Sequence, residues 1–91
     1  MVMVTERAKE ELGSILGTAG ISDPEVGLRL TPTAPGQFSL TTDMEREADQ
    51  VVEHEGSKVL LVGTELTEFL EGVTIDCQDS PEGPRLVMTR D

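Results

Sequence analysis

Ninety-one residues, 36% of them hydrophobic and only two of them aromatic, allow one small domain with a core of Leu, Val and Ile. Eighteen acids against seven bases leave a net charge of −11, which repels a phosphate backbone and an anionic bilayer, so neither nucleic acid nor membrane is expected as a partner. A single cysteine, Cys77, rules out an internal disulfide and any all-cysteine metal site within one chain.

The longest aliphatic run, Val59-Leu60-Leu61-Val62, is far too short to span a bilayer. The opening Met1-Val2-Met3-Val4 runs straight into Thr5-Glu6-Arg7 and does not read as a signal peptide, so the expected location is cytoplasmic. The acids are concentrated. Asp43 to Glu55 holds six acids and one base, Val59 to Pro84 holds six acids and no base, and the remainder is neutral. This pattern reads as a solvated, self-repelling surface. The alternative is an acidic face for a basic partner.

In chain order, Thr5 is placed to cap a helix whose apolar face is Ala8, Leu12, Ile15, Leu16 and Ala19. Gly20 ends it, and Ser22-Asp23-Pro24 turns the chain. Val26, Leu28 and Leu30 alternate with Gly27, Arg29 and Thr31, which predicts a strand. Thr31-Pro32-Thr33-Ala34-Pro35-Gly36 is expected to lie outside any sheet, because two prolines remove two donors. Phe38 and Leu40 mark a second strand, followed by an acidic connection from Asp43 to Ala48. Gln50–His54 and Ser57–Val62 flank Glu55-Gly56, a pair suited to a type I′ hairpin. Val59 to Val62 is apolar on both faces, so its strand should be central or covered by a helix. Thr64 is expected to cap a short helix with Leu66, Phe69 and Leu70 on one side, and Gly72 to stop it. Val73, Ile75 and Cys77 alternate in a fifth strand, Ser80 to Pro84 turns, and Leu86 to Met88 form the last strand. The order α β β β β α β β describes a small antiparallel-rich α+β domain spanning residues 1–91.

The chemistry-bearing side chains are few. Cys77 lies in phase with Val73 and Ile75 and has no base beside it, only Asp76 and Asp79, so it reads as core packing. His54 precedes a hairpin tip, between Glu53 and Glu55, and reads as an exposed turn residue, with no recognised metal-ligand spacing around it. Asp76 and Asp79 should point to opposite faces of their strand. Glu65, Glu68 and Glu71 read as a solvated helical stripe rather than a Ca²⁺ site. No phosphate-binding loop and no nucleophile elbow occurs. The stiff Thr31–Gln37 loop is read either as a plain strand connection or as a presented surface.

Several strings taken together resemble the HesB-like domain of the A-type (IscA-like) iron–sulfur cluster carriers. Val4-Thr5-Glu6-Arg7-Ala8 is similar to the opening helix of that family, and Gly27-Leu28-Arg29-Leu30 to its first strand. Asp49 to Val59 resembles its central hairpin, and Leu70 to Asp76 its passage from second helix to fifth strand. The resemblance implies a compact HesB-like sandwich or pseudobarrel. The family holds iron or a cluster through three cysteines, one in the loop after the first strand and two in a C-terminal Cys-Gly-Cys tail. The loop Thr31–Gln37 has no cysteine, the sequence runs out at Arg90-Asp91, and Cys77 matches no ligand position. No family ligand therefore carries over. No catalytic, cofactor-binding or metal residue and no cofactor is expected.

The expected function is a non-enzymatic HesB-like accessory or protein-binding module related to iron–sulfur assembly, with a protein partner or self-association. The alternative is a metal-binding protein using carboxylates and His54, a dimer interface being one place for them. An enzyme using Cys77 is a third reading.

Overall fold

The structure, a computed structural model, describes residues 2–34 and 37–90. Its elements are β1 (Met3–Val4), α1 (Glu6–Thr18), β2 (Val26–Ala34), β3 (Gln37–Met44), β4 (Gln50–His54), β5 (Ser57–Val62), α2 (Thr64–Phe69), β6 (Val73–Ser80) and β7 (Gly83–Arg90). The predicted order therefore holds, with one short strand added at the start. The strands form a four-stranded sheet in the order β3-β2-β5-β4 and a three-stranded sheet in the order β1-β6-β7. Hairpin neighbours are antiparallel, whereas β2–β5 and β1–β6 are parallel pairs.

Local chemistry sets each boundary. Thr5 Oγ1 accepts from the Ala8 amide at 3.2 Å and so caps α1 as expected. At the other end Ile21 N–H donates to Leu16 O and Gly20 N–H to Gly17 O, both at 3.0 Å, with Gly20 at φ 80°. That is a Schellman stop, and only a residue tolerant of the left-handed region suits it. Ala8, Leu12 and Leu16 on α1 are buried, and the helix touches β2, β4, β5, β6 and β7, so it packs on both sheets. Glu55 at φ 52° and Gly56 at φ 82° form the tip of the β4–β5 hairpin, as a type I′ turn requires. Val59 to Val62 is buried throughout, because β5 is an inner strand of its sheet and α1 packs against it.

Gln50 joins the two sheets. Its side-chain amide accepts from Val2 N–H at 2.9 Å and donates to Val2 O at 2.7 Å. The neighbouring residues Met3 and Val4 pair with Thr74 and Ile75 of β6. The N-terminal segment is thus held at once by β4 and by β6, the middle strand of the other sheet.

Three expectations need correction. The Pro-rich segment is not outside the sheet: β2 continues through Pro32 to Ala34, with Pro32 opposite Phe38. β2 registers with β5 only at Leu28 and Arg29, so by Pro32 the strand has one neighbour, and a register shift between Pro32 and Ala34 absorbs the irregularity. Pro35 and Gly36 lie outside the described residues. The turn at residues 80–84 shrinks to Pro81-Glu82, since β6 runs to Ser80 and β7 starts at Gly83; Pro84 is tolerated because β7 is an edge strand. Thr64 is not the cap of α2. Gly63 holds that position, and the Thr64 hydroxyl instead donates to Ala48 O at 3.3 Å.

Candidate functional site

The most extensive polar network surrounds Arg29, whose side chain is 13% exposed. Strand alternation turns it away from Leu28 and Leu30, which are buried in the core. Its Nε donates to Asp43 at 2.6 Å, while Nη2 and Nη1 donate to the two Asp49 oxygens at 2.6 and 3.2 Å. Asp49 is 4% exposed and also accepts from the Arg46 amide at 2.7 Å. Arg46 Nη2 reaches Asp43 at 3.0 Å. The guanidinium hydrogen bonds hold both carboxyls below their ordinary range, and Asp49 foremost raises the Arg29 pKa above the ordinary arginine value. The network fixes the β3–β4 connection, in which Ala48 sits at φ 67°.

Beside this network lies a groove of about 600 Å³ between the end of β2, the β3–β4 connection and α2. Leu66 and Phe69 form its apolar wall, and Phe69 is 65% exposed. The helical spacing of Leu66, Phe69 and Leu70 suggested one inward side; only Leu70 is buried. Thr31 and Pro32 line the same groove, so the root of the Pro-rich segment contributes to it.

The other expected features separate. Cys77 is 4% exposed in the inward row of β6 with Val73 and Ile75, in agreement with the alternation. Asp76 takes hydrogen bonds from the Thr5 hydroxyl at 2.7 Å and the Cys77 amide at 2.8 Å, which lower its pKa. Asp79 is exposed and pairs with Arg7 at 2.9 Å, so the two aspartates share no site. His54 is not an open turn residue. Its side chain is 17% exposed and lies beside the first turns of α1, with Glu6 Oε2 at 3.7 Å from Nδ1. Nothing in local spacing announced the Arg29 network or the approach of α1 to His54, because the partners come from other elements.

No protein-family model and no curated protein matches the sequence. Solved structures match the fold over almost the whole chain. A crystal structure of IscA with the 2Fe-2S cluster is 20% identical, with a TM-score of 0.62, over 99% of this chain and 85% of that one. A crystal structure of Escherichia coli SufA, involved in biosynthesis of iron–sulfur clusters, is 20% identical, with a TM-score of 0.69, over 98% and 84%. A solution structure of an Aquifex aeolicus protein is 20% identical, with a TM-score of 0.60, over 99% and 91%. At this identity the likeness concerns architecture alone. The two mixed sheets, with α1 packed across both and α2 between β5 and β6, thus form the HesB-like fold that IscA and SufA share.

Proposed function

We propose that this protein is a non-enzymatic HesB-like module that works beside iron–sulfur assembly through its surface, as a protein-binding or accessory component in the cytoplasm. The observation that carries the reading is the placement of its one thiol. Iron–sulfur centres are held by thiolates. Cys77 is packed inside β6 among Val73 and Ile75, and the segment after the first long strand has no cysteine. The exposed Phe69 beside an open groove supports a partner surface, since aromatic side chains are favoured anchors of protein interfaces.

Anaerobic reconstitution with ferrous iron and sulfide tests the first half. The protein is expected to stay colourless. Stoichiometric cluster absorbance that disappears in Cys77→Ala would overturn the reading, because it would require chains to share Cys77 as a ligand.

A further inference from the structure

The β4–β5 hairpin brings His54 against the exposed side of α1, and we propose that Glu6, Glu10 and His54 form a binding site for a divalent first-row transition metal ion. One carboxylate oxygen of each glutamate and one ring nitrogen of His54 lie within 4.8 Å of one another. The two acids are four residues apart on α1, so they share one helical face. His54 ends β4 and arrives from the sheet, 44 residues beyond Glu10 in the chain. All three ligands come from one chain, and no second copy is needed.

His54 makes no hydrogen bond among the described residues, and its ring nitrogens stay open to solvent. Its side chain is mostly covered, yet the carboxylate oxygens stand 3.7 Å from Nδ1 (Glu6) and 3.9 Å from Nε2 (Glu55), both longer than a hydrogen bond. Around a tetrahedral ion with bonds of about 2.0–2.1 Å, neighbouring ligand atoms sit about 3.3 Å apart. Closing the trio therefore asks for movements of about 1–2 Å by two exposed glutamates on flexible stems. Lys9 is the nearby base, 3.7 Å from the other Glu6 oxygen, so Glu6 already turns one oxygen to a cation and the other to His54.

The donor set decides the class of ion. One imidazole and two carboxylates suit Zn²⁺, Co²⁺, Mn²⁺ or Fe²⁺; an all-oxygen set would favour Ca²⁺ or Mg²⁺, and thiolates would favour Cu⁺. Three protein ligands leave a coordination position for water. Glu10 and His54 also border a groove of about 470 Å³ whose other charged lining residues, Asp23 and Glu55, are both acidic. A cation enters that groove without meeting a basic residue in its lining.

This inference is independent of the protein-binding reading, and it concerns a place remote in sequence from Cys77 and from the Thr31–Gln37 segment. The test is titration of tag-free protein with Zn²⁺ by calorimetry, and with Co²⁺ by visible absorption. One ion per chain is expected. Glu6→Gln, Glu10→Gln and His54→Ala should each weaken binding by about tenfold or more, since loss of even an outer partner of a metal ligand costs that much. Cys77→Ala and Glu68→Gln should bind as the parent does. Both glutamates are exposed, so their variants are expected to keep the parent thermal transition without metal. Equal affinity in the parent, Glu10→Gln and His54→Ala would overturn the site. So would several weak ions per chain, released in equal measure by removing any acid, which would describe a diffuse anionic surface.

Discussion

Arg29 and Asp49 meet through a bidentate ion pair, with nitrogen–oxygen distances of 2.6 and 3.2 Å, although they belong to strand and connection segments twenty residues apart. Both side chains are largely withdrawn from water. Such a pair contributes little over a well-packed apolar pair, but breaking it strands a charge. Asp49→Ala leaves the guanidinium with Asp43 and the Met44 carbonyl, its bidentate partner gone, and also removes the acceptor of the Arg46 amide. A loss of about 3 kcal/mol is expected, read as a lower urea midpoint at unchanged slope. A loss below about 1 kcal/mol would mean that water replaces Asp49 without cost.

Acid should act through the same carboxyls. Asp49 and Asp43 have folded pKa values below the unfolded reference of 3.8, chiefly because Arg29 donates to them. Their contribution is therefore full above that reference. It is lost as pH falls from there through the lower folded values. Stability should hold down to about pH 5 and decline below pH 4. Asp49→Asn should flatten that decline. Urea denaturation at intervals between pH 6 and pH 2.5 measures it, and parallel curves for parent and variant would place the acid sensitivity elsewhere.

Much of the fold was legible because it rests on local rules. Glu55-Gly56 fixes a turn that needs two positive φ angles, four consecutive apolar residues mark β5 as an inner strand, and Val73, Ile75 and Cys77 keep the period of two that buries them. The polar sites were not legible. Arg29 finds its partners 14 and 20 residues away, and His54 meets Glu6 across 48 residues, so spacing carries no trace of either. Pro32 misled for a related reason. A proline excludes a strand only where both sides are paired, and whether β5 still flanks β2 at that point is a property of the sheet.

Ala48 offers a stabilising substitution. It holds φ 67° in the β3–β4 connection, where a Cβ is unfavourable, while Asp49 N–H donates to Arg46 O at 3.2 Å to close the turn. Ala48→Gly removes that strain but raises unfolded-state entropy. The strain of about 1–2 kcal/mol exceeds the entropy difference, so a net gain of up to about 1 kcal/mol is expected. Thermal melting decides the sign, and a lower transition temperature would show that the entropy dominates.

Cys77 should respond as a core residue. Cys77→Ala is expected to cost about 1 kcal/mol through lost volume. Cys77→Ser should cost more despite its closer size, because its hydroxyl would be placed in the row occupied by Val73 and Ile75. The native thiol should also react slowly with a thiol reagent until denaturant is added. Rapid native labelling, or a serine variant as stable as the parent, would contradict the inward placement.

Phe69 separates stability from recognition. The residue is 65% exposed, while its backbone carbonyl accepts from Arg90 at 3.0 Å, a bond any residue preserves. Phe69→Ser should therefore shift stability by no more than about 0.5 kcal/mol. If the groove beside α2 receives a partner, the same substitution removes the apolar anchor of that surface. Thr33 and Ala34, exposed at the end of β2, carry no aromatic or arginine group, so replacing both should leave an interaction nearly intact. The comparison is a pull-down from host extract with parent, Phe69→Ser and the Thr33/Ala34 double variant, each checked by thermal melting. Loss of the captured protein with Phe69→Ser alone identifies the groove. Loss with the Thr33/Ala34 variant alone shifts recognition to the Pro-rich segment, and capture unchanged by both removes this face from the partner surface.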